Sequence, residues 1–124
     1  MTDKVVDASA AAAILFDELA REVVQPRLKG VALHAPYLLQ SELANVCVKK
    51  MRSDPDSADR YSLALAMIDG MNIQLHEIEP RDVAALARGL NLSAYDASYL
   101  WLARELGAEL VTLDQRLGRA SAGT

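Results

Sequence analysis

Four carboxylates in this chain stand where an acid needs a reason. Asp7 directly follows the β-branched pair Val5-Val6, and Asp114 follows Leu110-Val111-Thr112 after one residue. Both positions read as the carboxyl ends of buried strands, where open α/β sheets bind their ligands. Glu42 and Asp96 fall on helical stretches. At about 100° per residue, the neighbours of Glu42 are Leu38, Leu39, Asn45 and Val46, and those of Asp96 are Leu92, Tyr99, Leu100 and Ala103. Both acids therefore interrupt apolar, inward-facing stripes. Each of the four also has an ordinary explanation. Asp7 and Asp114 can cap the helices that follow them, Glu42 can reach solvent at the edge of its stripe, and Asp96 can complete a capping box with Ser93. The combination points further. If the four converge at one edge of a parallel sheet, they repel one another and raise each other's pKa values unless a cation sits among them. Hard oxygen donors select Mg²⁺ or Mn²⁺. Metal held by carboxylates suits phosphodiester hydrolysis, because it activates water and offsets phosphate charge.

The elements that must position these acids alternate in type. A strand at Val5-Val6 leads into a run of small and apolar residues from Ala10 to Phe16, and Asp17 to Leu28 has helical composition closed by Lys29-Gly30. Val31 to His34 reads as a second strand, and Pro36 suits the first position of a helix running to about Arg52. Ser53-Asp54-Pro55 breaks it. A further helix, capped by Asp56 or Ser57, turns Ala58, Tyr61, Leu65 and Ile68 inward and closes at Gly70. Ile73 to Ile78 alternates as a strand nearer a sheet edge. Pro80 opens a helix with Val83, Leu86, Ala87 and Leu90 inward, and Ser93 caps the next, which ends at Gly107. Glu109 to Thr112 is the last strand. A short helix follows Asp114, and Arg119 to Thr124 reads as a frayed tail. Strands alternating with helices give a parallel sheet covered on both faces. The expected fold is a three-layer α/β/α sandwich with about four strands and right-handed crossovers.

Composition sets the outer bounds. A chain of 124 residues, 52% hydrophobic, makes one domain with a sizeable core. No apolar run approaches the roughly 20 residues of a membrane span, and Asp3 and Asp7 interrupt any signal-peptide core. The single cysteine, Cys47, fits a reducing, cytoplasmic setting and reads as core with Met67 and Met71. A net charge of −4 counts against a nucleic-acid binder. Setting four metal-binding acids aside, however, leaves the remaining Asp and Glu equal in number to the 13 Lys and Arg.

The chain resembles the PIN-domain ribonucleases, and among them the VapC-type toxins of bacterial toxin–antitoxin pairs. Four stretches carry the resemblance: Val5-Val6-Asp7-Ala8-Ser9, Ser41-Glu42-Leu43-Ala44-Asn45, the run Leu92 to Ala103 around Asp96, and Leu110-Val111-Thr112-Leu113-Asp114. Each is a weak signal, whereas all four in this order and spacing are specific. The resemblance implies Mg²⁺-dependent endonucleolytic cleavage of RNA, with Mn²⁺ able to substitute and with 5′-phosphate and 3′-hydroxyl products. It implies that Asp7, Glu42, Asp96 and Asp114 hold one or two metals. Ser9 and Thr112 match supporting hydroxyl residues, Ala8 is a mild departure from the family run, and Asn45 can orient carboxylate or water. Arg116 stands where some relatives carry a further polar or acidic residue, and it is the better candidate for a phosphate contact. Lys49, on the Glu42 side of its helix with Lys50 and Arg52 beside it, is a second candidate or a solvated basic helix end. The implied partners are an RNA substrate, a cognate VapB-type antitoxin and a second copy of the chain as a homodimer, with no membrane. His34 and His76 have no metal-ligand spacing and read as strand residues, and Trp101 reads as a packing residue.

Rival chemistries fit less well. An aspartyl-phosphate phosphatase wants a second aspartate two residues after the first, where this chain has Ser9. A phosphoacceptor receiver domain wants an acidic pair that Asp7 lacks. A non-catalytic PIN scaffold binding RNA or protein would tolerate the loss of site acids, and here all four are present.

Overall fold

The computed structural model describes residues 1–123. Four strands, β1 (Thr2–Val6), β2 (Val31–Pro36), β3 (Gln74–His76) and β4 (Glu109–Val111), form one parallel sheet in the order β3-β2-β1-β4. Seven α-helices flank it among the described residues: α1 (Ala8–Leu15), α2 (Arg21–Leu28), α3 (Leu38–Ser53), α4 (Ala58–Ala66), α5 (Pro80–Leu90), α6 (Ala94–Leu106) and α7 (Gln115–Ala122). This is the expected three-layer α/β/α sandwich. The first strand in sequence is central, with β2 on one side and β4 on the other. Its Val5 and Val6 are fully buried, as a strand covered on both faces requires. Helix α6 packs across β1, β2 and β4, and α5 packs on α6. Trp101 bridges the main core and the smaller cluster of Val83, Ala87 and Ala97, in the packing role its sequence position implies.

The structure revises several boundaries. Pro36 ends β2 and does not open α3. The next residue, Tyr37, still donates its N–H to the His76 carbonyl at 3.1 Å, so the β2–β3 ladder continues past the donorless proline. The helical stretch from Ala8 to Leu28 is broken in two, with Asp17 in the left-handed region at φ 51. β3 is three residues long and lies at the edge, as its alternation suggested. Helix α4 stops at Ala66 and continues as a 3₁₀ turn over Met67–Met71, closed by Asn72 at φ 52. Met67 is 67% exposed on that turn and is not core, whereas Cys47 is buried. Ser57 occupies the cap position of α4 without capping it, and accepts instead from Arg60 at 3.2 Å.

The expected frayed tail is helical as far as Ala122. Asp114 caps α7, Leu117 is 1% exposed, and Ala120 packs on the core, so the segment has the apolar anchorage that a fraying end lacks. Thr124, the last residue of that tail, lies outside the described residues.

Candidate metal and phosphodiester site

All four carboxylates gather at the carboxyl edge of the sheet, each from a different element. Asp7 follows β1 and is 5% exposed. Its Oδ1 accepts from the Ala10 N–H at 3.0 Å, capping α1, and from Ser9 Oγ at 2.7 Å. Its Oδ2 accepts from the Thr112 hydroxyl at the end of β4. Ser9 Oγ in turn accepts from the Leu113 N–H at 2.9 Å, and Thr112 Oγ1 from the Asp114 N–H at 3.0 Å. Two hydroxyls thus sew the ends of β1 and β4 together through one carboxylate. A carboxylate offers about four acceptor sites. Three are occupied, so Asp7 is rigidly aimed and still has a lone pair to give.

Asp114 Oδ1 accepts from the Leu117 N–H at 3.0 Å and caps α7. Asp96 is half-buried in the first turn of α6. The expected capping box is half made: Ser93 Oγ accepts from the Asp96 N–H at 3.0 Å, but the Asp96 carboxylate makes no hydrogen bond among the described residues. Glu42, half-buried on α3, accepts a hydrogen bond from the hydroxyl of Tyr99, a residue of α6 that is 1% exposed.

Charge ties the four together. Burial raises the Asp7 pKa above its ordinary value despite the hydrogen bonds from Thr112, Ala10 and Ser9, and Asp114 adds to the rise. Burial likewise raises Glu42, with Asp96 and Asp7 contributing against the lowering effect of Tyr99. Asp96 is raised by burial, then by Asp114 and Asp7, while Ser93 and Arg116 pull the other way. None of the four acids is in an ion pair among the described residues; Lys and Arg pair instead with Asp17, Glu18 and Glu109. Nor do any three His, Cys, Asp or Glu side chains among the described residues stand close enough to hold a metal ion together. The acids thus act on one another electrostatically while no three of them stand within reach of one ion. The donor set, hard oxygens without a protein cation, fits a divalent ion of the Mg²⁺ type.

The other expected site residues divide. Ser9 and Thr112 sit in the Asp7 network as described. Arg116 donates to the Asn91 carbonyl, and its charge acts on Asp96, so it borders the site. Asn45 and Lys49 are exposed on α3 and hydrogen-bond to none of the four acids. Tyr99 is the residue that sequence reasoning passed over. Its signal was there: a polar-tipped aromatic at position i+3 from Asp96, on the same inward face, needs a partner for its hydroxyl.

The sequence profile of the PIN domain matches residues 4–123. The chain belongs to the PIN domain family. Ribonuclease VapC9 of Mycobacterium tuberculosis is 37% identical over 114 residues, covering 91% of this chain and 87% of that protein. Among solved structures, the crystal structure of PAE2754 from Pyrobaculum aerophilum superposes with a TM-score of 0.77 at 27% identity, covering 99% of this PIN domain and 89% of that chain. Mycobacterium tuberculosis VapC20, described as a sarcin-ricin loop cleaving toxin, shares the fold with a TM-score of 0.67 at 18% identity, covering 94% of each chain.

Proposed function

We propose that this PIN domain is a Mg²⁺-dependent endoribonuclease and the toxin of a toxin–antitoxin pair, with Asp7, Glu42, Asp96 and Asp114 as metal ligands. One observation carries the reading: four acids from four elements gather at one sheet edge, where burial and then acidic neighbours raise the pKa values of Asp7, Glu42 and Asp96, and none of the four is in an ion pair among the described residues. The VapC ribonucleases among its relatives support the substrate class. A bound Mg²⁺ supplies Lewis-acid charge and a nucleophilic water at neutral pH. The chain's own residues do the rest. Ser9, Thr112 and the Ala10 N–H fix the Asp7 carboxylate. Tyr99 fixes Glu42 across the gap between α6 and α3. The Ser93 cap sets the first turn of α6 and leaves the Asp96 carboxylate free to turn into the site. Arg116 places a positive charge at the rim, where an RNA phosphate would meet it.

The same reading gives the partners: RNA, a VapB-type antitoxin that blocks the acids, and a second copy of the chain as a homodimer. No described helix is long and apolar enough to cross a membrane, and the proposed setting is the cytoplasm. The test is RNA cleavage by the wild type and Asp7→Asn in Mg²⁺, Mn²⁺ and EDTA. We expect cleavage in either metal, none in EDTA, and a loss of more than about a hundredfold in the variant. Cleavage that persists in EDTA would overturn the metal assignment. A wild type inert toward RNA in both metals would favour the non-catalytic scaffold.

A further inference from the structure

A second polar chain crosses the sheet, with one member from each of three adjacent strands. Asp3 of β1 holds its Oδ1 2.9 Å from Nε2 of His34 on β2, and His34 Nδ1 lies 2.8 Å from Nε2 of His76 on β3. His34 is buried. A carboxylate only accepts, and a neutral imidazole has one N–H and one bare nitrogen. The His34 proton therefore belongs on Nε2, facing Asp3. Its bare Nδ1 accepts from the His76 Nε2–H, which leaves His76 Nδ1 bare as well. Burial and the neighbouring His34 hold His76 below its ordinary pKa, which keeps this nitrogen an acceptor. Among the described residues nothing donates to it.

His76 lines a cavity of about 350 Å³, together with Tyr37, Leu38, Glu77, Ile78 and Ser98. That volume is within the range of small-molecule sites. Its wall offers acceptors and no free donor from Ser98, whose hydroxyl is committed to the Ala94 carbonyl at 2.7 Å. Tyr37 is 54% exposed at the mouth. The cavity sits at the carboxyl ends of β2 and β3, on the sheet edge where Asp7 and Asp114 follow β1 and β4, although none of the four acids lines it.

We propose that this cavity is a guanine subsite for a nucleotide next to the bond that the acids cleave. Tyr37 supports the face of the base, while His76 Nδ1 and the Glu77 carboxylate accept hydrogen bonds from its edge. Proteins read single-stranded RNA by such stacking and edge contacts. Two acceptors lining one cavity favour the base with two adjacent donors, the N1–H and 2-amino group of guanine. The other bases offer a single donor group on that edge. The subsite's place in cleavage rests on the ribonuclease reading; its binding does not.

The experiment titrates the full chain, without divalent metal, with GMP, IMP, AMP, CMP and UMP, and follows the imidazole ¹⁵N resonances of His76. GMP should bind tightest and shift them. IMP, which lacks the 2-amino group, should bind on the order of tenfold more weakly. Tyr37→Ala should cost GMP a similar factor. His76→Gln, which keeps a donor toward His34, and His76→Phe, which keeps the ring, separate recognition from folding, and thermal melting checks each fold. GMP binding no tighter than that of the other nucleotides, or unchanged in Tyr37→Ala and both His76 variants, would overturn the proposal. RNA cleavage distinguishes the two readings. Wild-type cleavage with unchanged cut position and KM in the variants removes the subsite and leaves the ribonuclease. GMP binding through His76 in a protein that cuts no RNA removes the ribonuclease and leaves the subsite.

Discussion

Asp7 does two jobs with one carboxylate: it caps α1, and it joins the first strand to the last through Ser9 and Thr112. Replacing Thr112 by Val removes one donor and leaves the side chain's shape. We expect a loss of about 10–100-fold in metal affinity or activity, measured by metal titration and by RNA cleavage, with little change in the circular dichroism spectrum. Glu42 allows a pH prediction. Its folded pKa is raised, chiefly by burial, so ionising it works against the fold. The stability linked to it is complete below the ordinary value of 4.5 and is lost as pH rises through the raised value. Without metal, Glu42→Gln, which still accepts from Tyr99, should melt higher than wild type at pH 7. The advantage should vanish in acid, below about pH 4.5; a variant no more stable at pH 7 would contradict the assignment. At this scale much was legible. Asp7, Glu42, Asp96, Asp114, Ser9 and Thr112 stand out by residue type and position. Tyr99 did not, because its partner is 57 residues away on another helix. Asn45 and Lys49 look close to Glu42 on a helical projection, which gives direction around an axis but not what stands beyond it.

Among the elements, α7 departs furthest from expectation. Its sequence has only Leu117 and two alanines to bury, so local composition suggests fraying, yet its cap is an acid of the site itself. The helix therefore transmits packing to chemistry. Leu117→Ala should cost about 2–5 kcal/mol of unfolding free energy, read from denaturant midpoints. It should also weaken cleavage beyond the loss of folded protein, because Asp114 and Arg116 ride on the same turn. Retained specific activity in the folded fraction would uncouple them. Caps and punctuation were the readable part of the elements. Pro80 opens α5 and Ser93 caps α6 where their types require. Pro36 misled because a proline after a strand and a proline before a helix have the same local signature. The choice was made by pairing with β3, which lies about forty residues downstream. Strand ends are likewise set by neighbours: β3 and β4 are shorter than their apolar runs, and both lie at sheet edges.

For the whole molecule, alternating strands and helices were enough to give the layer order and a parallel sheet, while the strand order was not contained in any local pattern. That order puts β1 in the middle and so brings residue 7 beside residue 112. It also concentrates negative charge at one edge. Binding of Mn²⁺ or Mg²⁺ should relieve that repulsion. At a hundred times Kd, linkage contributes about 2.7 kcal/mol, a rise in Tm on the order of 10 °C for a chain of this size. Asp7→Asn should reduce the rise, and no shift in wild type at millimolar metal would argue against a shared ion. The join between Ser9, Thr112 and Asp7 has a consequence in time. During synthesis Asp7 leaves the ribosome 105 residues before Thr112, so a growing chain carries Asp7 with neither the β4 donor nor Asp114 beside it. The full set of four acids is therefore assembled only when the final strand docks.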